Sequence, residues 1–219
     1  MSDNHEHYLT TWQSMHSGVD PRANYWVRGY LRVIFALSHA LNRLKVSPNT
    51  FTLTSGGVIL GSSLYYLQER SILAVALIAF IGLLLDGIDG SLAILQNRAS
   101  SFGAVLDSVN DRIQECFLYI AISWILYSDG YSLWIATALL LSLTATLLLE
   151  YARSRAQVAV KVTIWERPTR ILVISFFVVA ASVISDFDAV LLYVMSALAL
   201  LLSAIGLYQQ FQDAKRQLL

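Results

Sequence analysis

The chain is poor in charge, cysteine and proline. Only 14% of its 219 residues are Asp, Glu, Lys or Arg, against roughly a quarter in soluble domains. Its 15 basic and 15 acidic residues cancel, so there is no polybasic character and no nucleic-acid partner is expected. A single cysteine, Cys116, excludes an internal disulfide, and its apolar neighbours read as packing. The start, MSDNHEHYLTTWQS, has no basic stretch ahead of an apolar run, which argues against a signal peptide. His5 and His7, with Glu6, sit in a polar tail and read as unstructured rather than as a metal clip. What the chain has in excess is apolar: 56% of residues and a mean hydropathy of +0.58. That is the balance of a membrane protein.

A helix that crosses a bilayer needs about 20 mostly apolar residues. Six segments are candidates. The first runs from about Phe51 to Leu67, with Ser47-Pro48-Asn49 as its helix start. The others cover about Ile72–Leu92, Phe102–Tyr127, Leu133–Ala152 and Ile171–Ile184, and a last one after the turn at Asp186–Asp188, to about Leu207. The expected fold is therefore all-α, a polytopic bundle of six transmembrane helices. Gly57 and Gly61 have the GxxxG spacing of a close helix contact. Trp124, Tyr127, Tyr131 and Trp134 flank one turn as an aromatic belt.

The basic residues vote on topology. Arg22, Arg28, Arg32, Arg43 and Lys45 precede the first span, Arg98 and Arg112 flank the start of the third, and Arg153, Arg155, Lys161, Arg167 and Arg170 lie between the fourth and fifth. Lys215 and Arg216 follow the sixth, and only Arg70 falls on the other side. This predicts a multi-pass protein of the cell membrane with both termini cytoplasmic. Tyr25 to Leu44 mixes basic residues with aromatic and aliphatic ones, the pattern of a helix lying in the interface against membrane lipids; an extra span is the alternative. The expected organisation is a polar tail over 1–20, an interfacial amphipathic helix over 21–46 and a six-helix domain over 47–219.

Four aspartates stand out: Asp86, Asp89, Asp107 and Asp111, at the cytoplasmic ends of the second and third segments. Carboxylates near hydrocarbon are expensive and mark chemistry or ion traffic. Asp86, Asp89 and Ala93 share one helix face, and Gly103, Asp107 and Asp111 share a face of the next. Turned toward each other, the two faces offer oxygen ligands for one or two hard cations, Mg²⁺ or Mn²⁺. Gly87, Gly90 and Gly103 let a neighbouring helix or a phosphate come close. A cation or proton path is the alternative from another class.

The spacing resembles the CDP-alcohol phosphatidyltransferase family of integral membrane enzymes. Its pattern is Asp, two residues, Asp-Gly, two residues, Ala-Arg, eight residues, Gly, three residues, Asp, three residues, Asp. Asp86, Asp89, Gly90, Ala93, Gly103, Asp107 and Asp111 fall in register; Ile94 stands where the family has arginine, and Arg98 lies one helical turn on. Weaker likenesses to the bacterial phosphatidylinositol-phosphate synthase branch lie in FGAVLDSVNDRI, in EYARSRA and in Glu166-Arg167-Pro168-Thr169-Arg170.

The resemblance implies transfer of a phosphatidyl group from CDP-diacylglycerol to a small polar alcohol, with release of CMP. It implies that Asp86, Asp89, Asp107 and Asp111 hold the metal and that Asp111 takes the proton of the attacking hydroxyl. Asn49, Thr52, Gly90, Ala93, Arg98 and Gly103 would meet the nucleotide and its phosphates. Arg153 and Arg170 would bind the phosphate of an acceptor such as inositol phosphate; glycerol 3-phosphate or another alcohol is the alternative acceptor, and a silent relative or a transporter the alternative function. A homodimer is expected on the same likeness.

Overall fold

The computed structural model describes residues 2–15, 20–23, 25–156 and 163–218. All regular structure among them is helical: α1 (Ser2–Met15), α2 (Tyr25–Arg43), α3 (Pro48–Gln68), α4 (Ile72–Leu85), α5 (Gly87–Leu95), α6 (Ser101–Ser128), α7 (Leu133–Ala156), α8 (Arg167–Val183) and α9 (Asp188–Leu218), with two short 3₁₀ turns. They fall into two compact units. One comprises residues 1–58 and 82–111, the other residues 59–81 and 112–219.

The six expected spans are corrected to three. Among the described residues only Ile72–Leu95, Leu133–Ala156 and Ser185–Leu218 are long and apolar enough to cross a membrane. The physical reasons differ. α3 has the length, but its first half, Pro48–Gly57, is rich in Thr, Ser and Gly. α6 is 28 residues long and carries Asp107, Asp111 and Arg112 in its first half and Glu115 at its middle. α8 has only 17 residues and opens on Arg167 and Arg170. The protein is a multi-pass membrane protein all the same, built on three strongly apolar helices.

The first unit is assembled on α2. Leu31, Ile34 and Ser38 form its buried stripe, while Arg28, Arg32, Val33 and Leu37 stay exposed. Ile34 packs with Ile88 and Leu92 of α5, flanked by Leu41, Phe51 and Leu85. The tail expected to lack structure is corrected to a helix, α1. Its Tyr8 and Leu9 are buried with Leu31, and Trp12, Phe35 and Ile94 pack around them. Arg22 ties this helix down, donating to Glu6 at 2.8 Å. Ile94, the departure from the family pattern, is thus apolar because it meets an apolar cluster. α3 and α6 approach closely: a Cβ on Gly56 would stand 2.0 Å from Asn110 Oδ1. Among the described residues a Cβ on Gly57 or Gly61 would meet nothing within 4 Å, so their spacing marks no close contact there.

The second unit packs α7 and α8 against α9. Ser142 donates to the Ala199 carbonyl at 2.9 Å, the kind of small-residue hydrogen bond that joins helices in lipid. At its centre lies an ion network. Arg170 and Glu115 pair with both side chains fully buried, and Arg170 also donates to the Trp165 carbonyl. Arg112 reaches Glu115 at 2.6 Å and Glu150 at 3.6 Å. Trp124, Tyr127 and Trp134 are exposed, and Tyr131 donates to Asp188 at 2.5 Å.

A buried pair that loses one partner leaves an uncompensated charge. Glu115→Ala is therefore expected to destabilise the protein by about 3–5 kcal/mol, read as a lower melting temperature in detergent. Adding Arg170→Met should recover most of that loss; no recovery would remove the buried charge as the cause.

Candidate metal centre and substrate groove

The site is built within the first unit from three helix ends. Ser47 caps α3, accepting the Thr50 N–H at 3.2 Å, and Ser100 caps α6, accepting the Gly103 N–H at 3.0 Å. Ser47 takes the capping role, leaving Asn49 on the groove described below. α5 ends on Asn97, whose positive φ of 52° turns the chain in the left-handed region. The Arg98 N–H closes that turn on the Ala93 carbonyl at 2.9 Å. Gln96 fixes it further, donating to the Val46 carbonyl at 2.7 Å.

These ends bring three of the four aspartates together. One carboxylate oxygen from each of Asp86, Asp107 and Asp111 lies within 4.8 Å of the others. Asp107 and Asp111 come from successive turns of α6, and Asp86 from the break between α4 and α5. Asp111 is buried, the other two half-buried. Three negative charges at that spacing repel strongly where water is scarce. The donor set is oxygen only, so the group that fits is a hard divalent cation such as Mg²⁺ or Mn²⁺.

Asp89 stands apart from this trio. It is buried, and its Oδ2 accepts the Thr52 hydroxyl at 2.5 Å. Thr52 Oγ1 also lies 3.2 Å from the Pro48 carbonyl. Beside it opens a groove of about 290 Å³. Asn49, Thr52, Asp89, Gly90, Ala93, Arg98, Gly103 and Asp107 all line it, so every residue expected to meet the nucleotide borders one cavity. Asp107 belongs to both groove and trio. A Cβ on Gly90 would meet nothing within 4 Å, which leaves the helix backbone open to a ligand there. Ala99, Ser100 and Ala104 line the groove too and were not expected. The small residues around Gly103 were their signal.

The basic residues of the second unit are arranged differently. Arg170, expected as an acceptor ligand, is wholly buried, held by Glu115, the Trp165 carbonyl and, at 3.8 Å, Glu150. A phosphate would have to displace these partners. Arg153 donates to Glu166 at 2.8 Å and reaches Glu150 at 3.5 Å. Burial works to raise the Glu166 pKa, but hydrogen bonds from Arg153 and Thr163 outweigh it and hold the carboxyl below its ordinary value. Lys161 lies outside the described residues.

Comparison with known proteins shows the family. A family model described as CDP-alcohol phosphatidyltransferase matches residues 45–206. The phosphatidylinositol phosphate synthase of Corynebacterium glutamicum is 30% identical over 145 residues, 64% of this chain and 66% of that protein. The archaetidylinositol phosphate synthase of Pyrococcus horikoshii is 30% identical over 186 residues, 83% of this chain and 90% of that one. The crystal structure of Mycobacterium tuberculosis phosphatidylinositol phosphate synthase with CDP-DAG bound superposes with a TM-score of 0.72 at 20% identity, covering 84% of this chain and 94% of that one. A complex of the same enzyme with manganese and citrate gives 0.73 at 19% identity, covering 83% and 88%. At that identity the structures speak for the fold, and the family match carries the rest: this chain belongs to the CDP-alcohol phosphatidyltransferase family.

Proposed function

We propose that the protein transfers a phosphatidyl group from CDP-diacylglycerol to a phosphorylated polyol, an inositol phosphate, and releases CMP. The observation that carries this reading is the carboxylate trio of Asp86, Asp107 and Asp111 opening through Asp107 onto the groove. The family membership and the two 30% identical inositol-phosphate synthases support it.

A divalent cation bound at the trio would neutralise the donor's diphosphate and the charge that grows on the departing CMP. The chain's own residues do the remaining work. Asp86, Asp107 and Asp111, with Asp89 as fourth carboxylate, hold the site together. Asp111, buried on the α6 face, accepts the proton of the attacking hydroxyl as general base. Asn49 and Thr52 offer polar groups to the cytidine, Gly90, Ala93 and Gly103 leave room for it, and Arg98 gives a guanidinium fork to phosphate oxygens. The tails of the donor stay in lipid.

For the acceptor, Arg153 and Arg170 remain the proposed ligands, supported by the basic segment they belong to. Arg153, half-buried, has the readier access; Arg170, wholly buried, would engage only by giving up its present partners for phosphate. The excess of Lys and Arg before α3 supports a cytoplasmic placement of the groove. With three spans in place of six, the span count no longer carries both termini there. Lys215 and Arg216 at the end of α9 are what support a cytoplasmic C-terminus. A homodimer belongs to the proposal on family likeness.

Purified protein should release CMP from CDP-diacylglycerol only with Mg²⁺ or Mn²⁺. Chelation should stop release, and added metal restore it; metal-independent turnover contradicts the site. CMP release should be faster with inositol phosphate than with glycerol 3-phosphate, inositol or serine, and an equal or reversed ranking removes the acceptor assignment.

Asp111→Asn is expected to lower turnover by about 10²–10⁴-fold, the range for loss of a general base, while Mn²⁺ binding is partly retained. Near-normal turnover would refute the role of Asp111.

A further inference from the structure

One carboxylate in the ion network of the second unit is held differently from the others. Arg112 of α6, Arg153 of α7 and Arg170 of α8 all bear on Glu150, at 3.6, 3.5 and 3.8 Å. Good N–H···O hydrogen bonds fall at about 2.7–3.2 Å, so none of the three is tight. Glu150 stands among three guanidiniums and is gripped by none.

Each arginine is held more closely by another group. Arg112 reaches Glu115 at 2.6 Å, Arg153 reaches Glu166 at 2.8 Å, and Arg170 pairs with Glu115 and the Trp165 carbonyl. Those two carboxylates are fixed in turn. Glu115 is sealed between Arg170 and Arg112. Glu166 also accepts the Thr163 N–H at 2.7 Å and the Thr163 hydroxyl at 2.8 Å. Glu150 has no such support, and its side chain is 23% exposed where that of Glu115 is 0%. Of the three carboxylates it is the one an incoming anion displaces at least cost. A carboxylate offers two oxygens to three guanidiniums; a phosphate group offers three and a larger negative charge.

We infer that Glu150 is a specificity-determining residue: its carboxylate holds the place of the acceptor's phosphate among Arg112, Arg153 and Arg170 and swings out when the acceptor binds. Until then it keeps the three arginines from repelling one another. Because its charge opposes that of the phosphate, it also sets how tightly a phosphorylated acceptor is held. This rests on the reading of Arg153 and Arg170 as acceptor ligands.

The test uses the full chain in a non-ionic detergent free of anionic lipid. Affinity for inositol phosphate is read by calorimetry, and its KM from CMP release. Glu150→Gln keeps the shape and removes the charge. It should tighten inositol phosphate about tenfold, the lower end for one charge-assisted hydrogen bond, with KM falling in step. Replacing a residue of merely structural role would loosen the arginines and move both the other way. The gain should be confined to the phosphorylated ligand, with none for unphosphorylated inositol. Arg153→Ala should weaken inositol phosphate by about tenfold or more.

Unchanged or weaker affinity in Glu150→Gln, beside weakened binding in Arg153→Ala, overturns the inference and leaves the acceptor site in place. An equal gain for inositol removes charge as the cause and overturns it too. A gain for added phosphatidylglycerol with none for inositol phosphate gives the place to a lipid headgroup and has the same effect. Wild-type affinity in Arg153→Ala removes the acceptor reading and the inference together. If Glu150→Gln fails to fold, Glu150→Ala, which removes the same charge, decides in its place.

Discussion

The structure turns on a repulsion. Three carboxylates held with oxygens within 4.8 Å of one another are unfavourable unless something positive sits among them or the scaffold is stiff enough to hold them there. Much of the first unit serves that stiffness. Ser100 fixes where α6 begins and so which face Gly103, Asp107 and Asp111 share. Gly56 lets α3 come within reach of Asn110. The Asn97 turn and the Gln96–Val46 hydrogen bond fix the other end of α5.

The same economy separates the carboxylates by role. Asp89 is held by Thr52 from α3, so it belongs first to the groove wall, whereas Asp86, three residues earlier, belongs to the trio. Helical spacing puts both on one face, but their neighbours decide what each one does. The second unit shows a contrasting use of charge. There Arg170, Glu115, Glu150, Arg112, Arg153 and Glu166 satisfy one another. Such a network holds helices in register.

The aspartate spacing was legible because α-helical periodicity maps directly onto a face, and because polar side chains beside apolar runs are rare enough to stand out. The groove was legible through the family resemblance: Asn49, Thr52, Gly90, Ala93, Arg98 and Gly103, which it singled out, all border it. The span count was not. Hydrophobic stretches in α3, α6 and α8 look like spans until the helices acquire limits, and then Thr and Ser, acidic residues or shortness set them apart from the three apolar helices. Nor was α1 legible, since a polar sequence gives no sign of burial until Leu31 and Ile94 offer Tyr8 and Leu9 a surface.

By itself the sequence determined the helical class and the chemistry of the metal site, because these follow from local periodicity and residue type, and the family resemblance pointed to the residues that border the groove. Only the tertiary structure decided which aspartates meet, that Arg170 is sealed inside an ion network, and that Thr52 of another helix holds Asp89. Each of these is set by what stands opposite a side chain in space, and spacing along one helix carries no information about the surface of another.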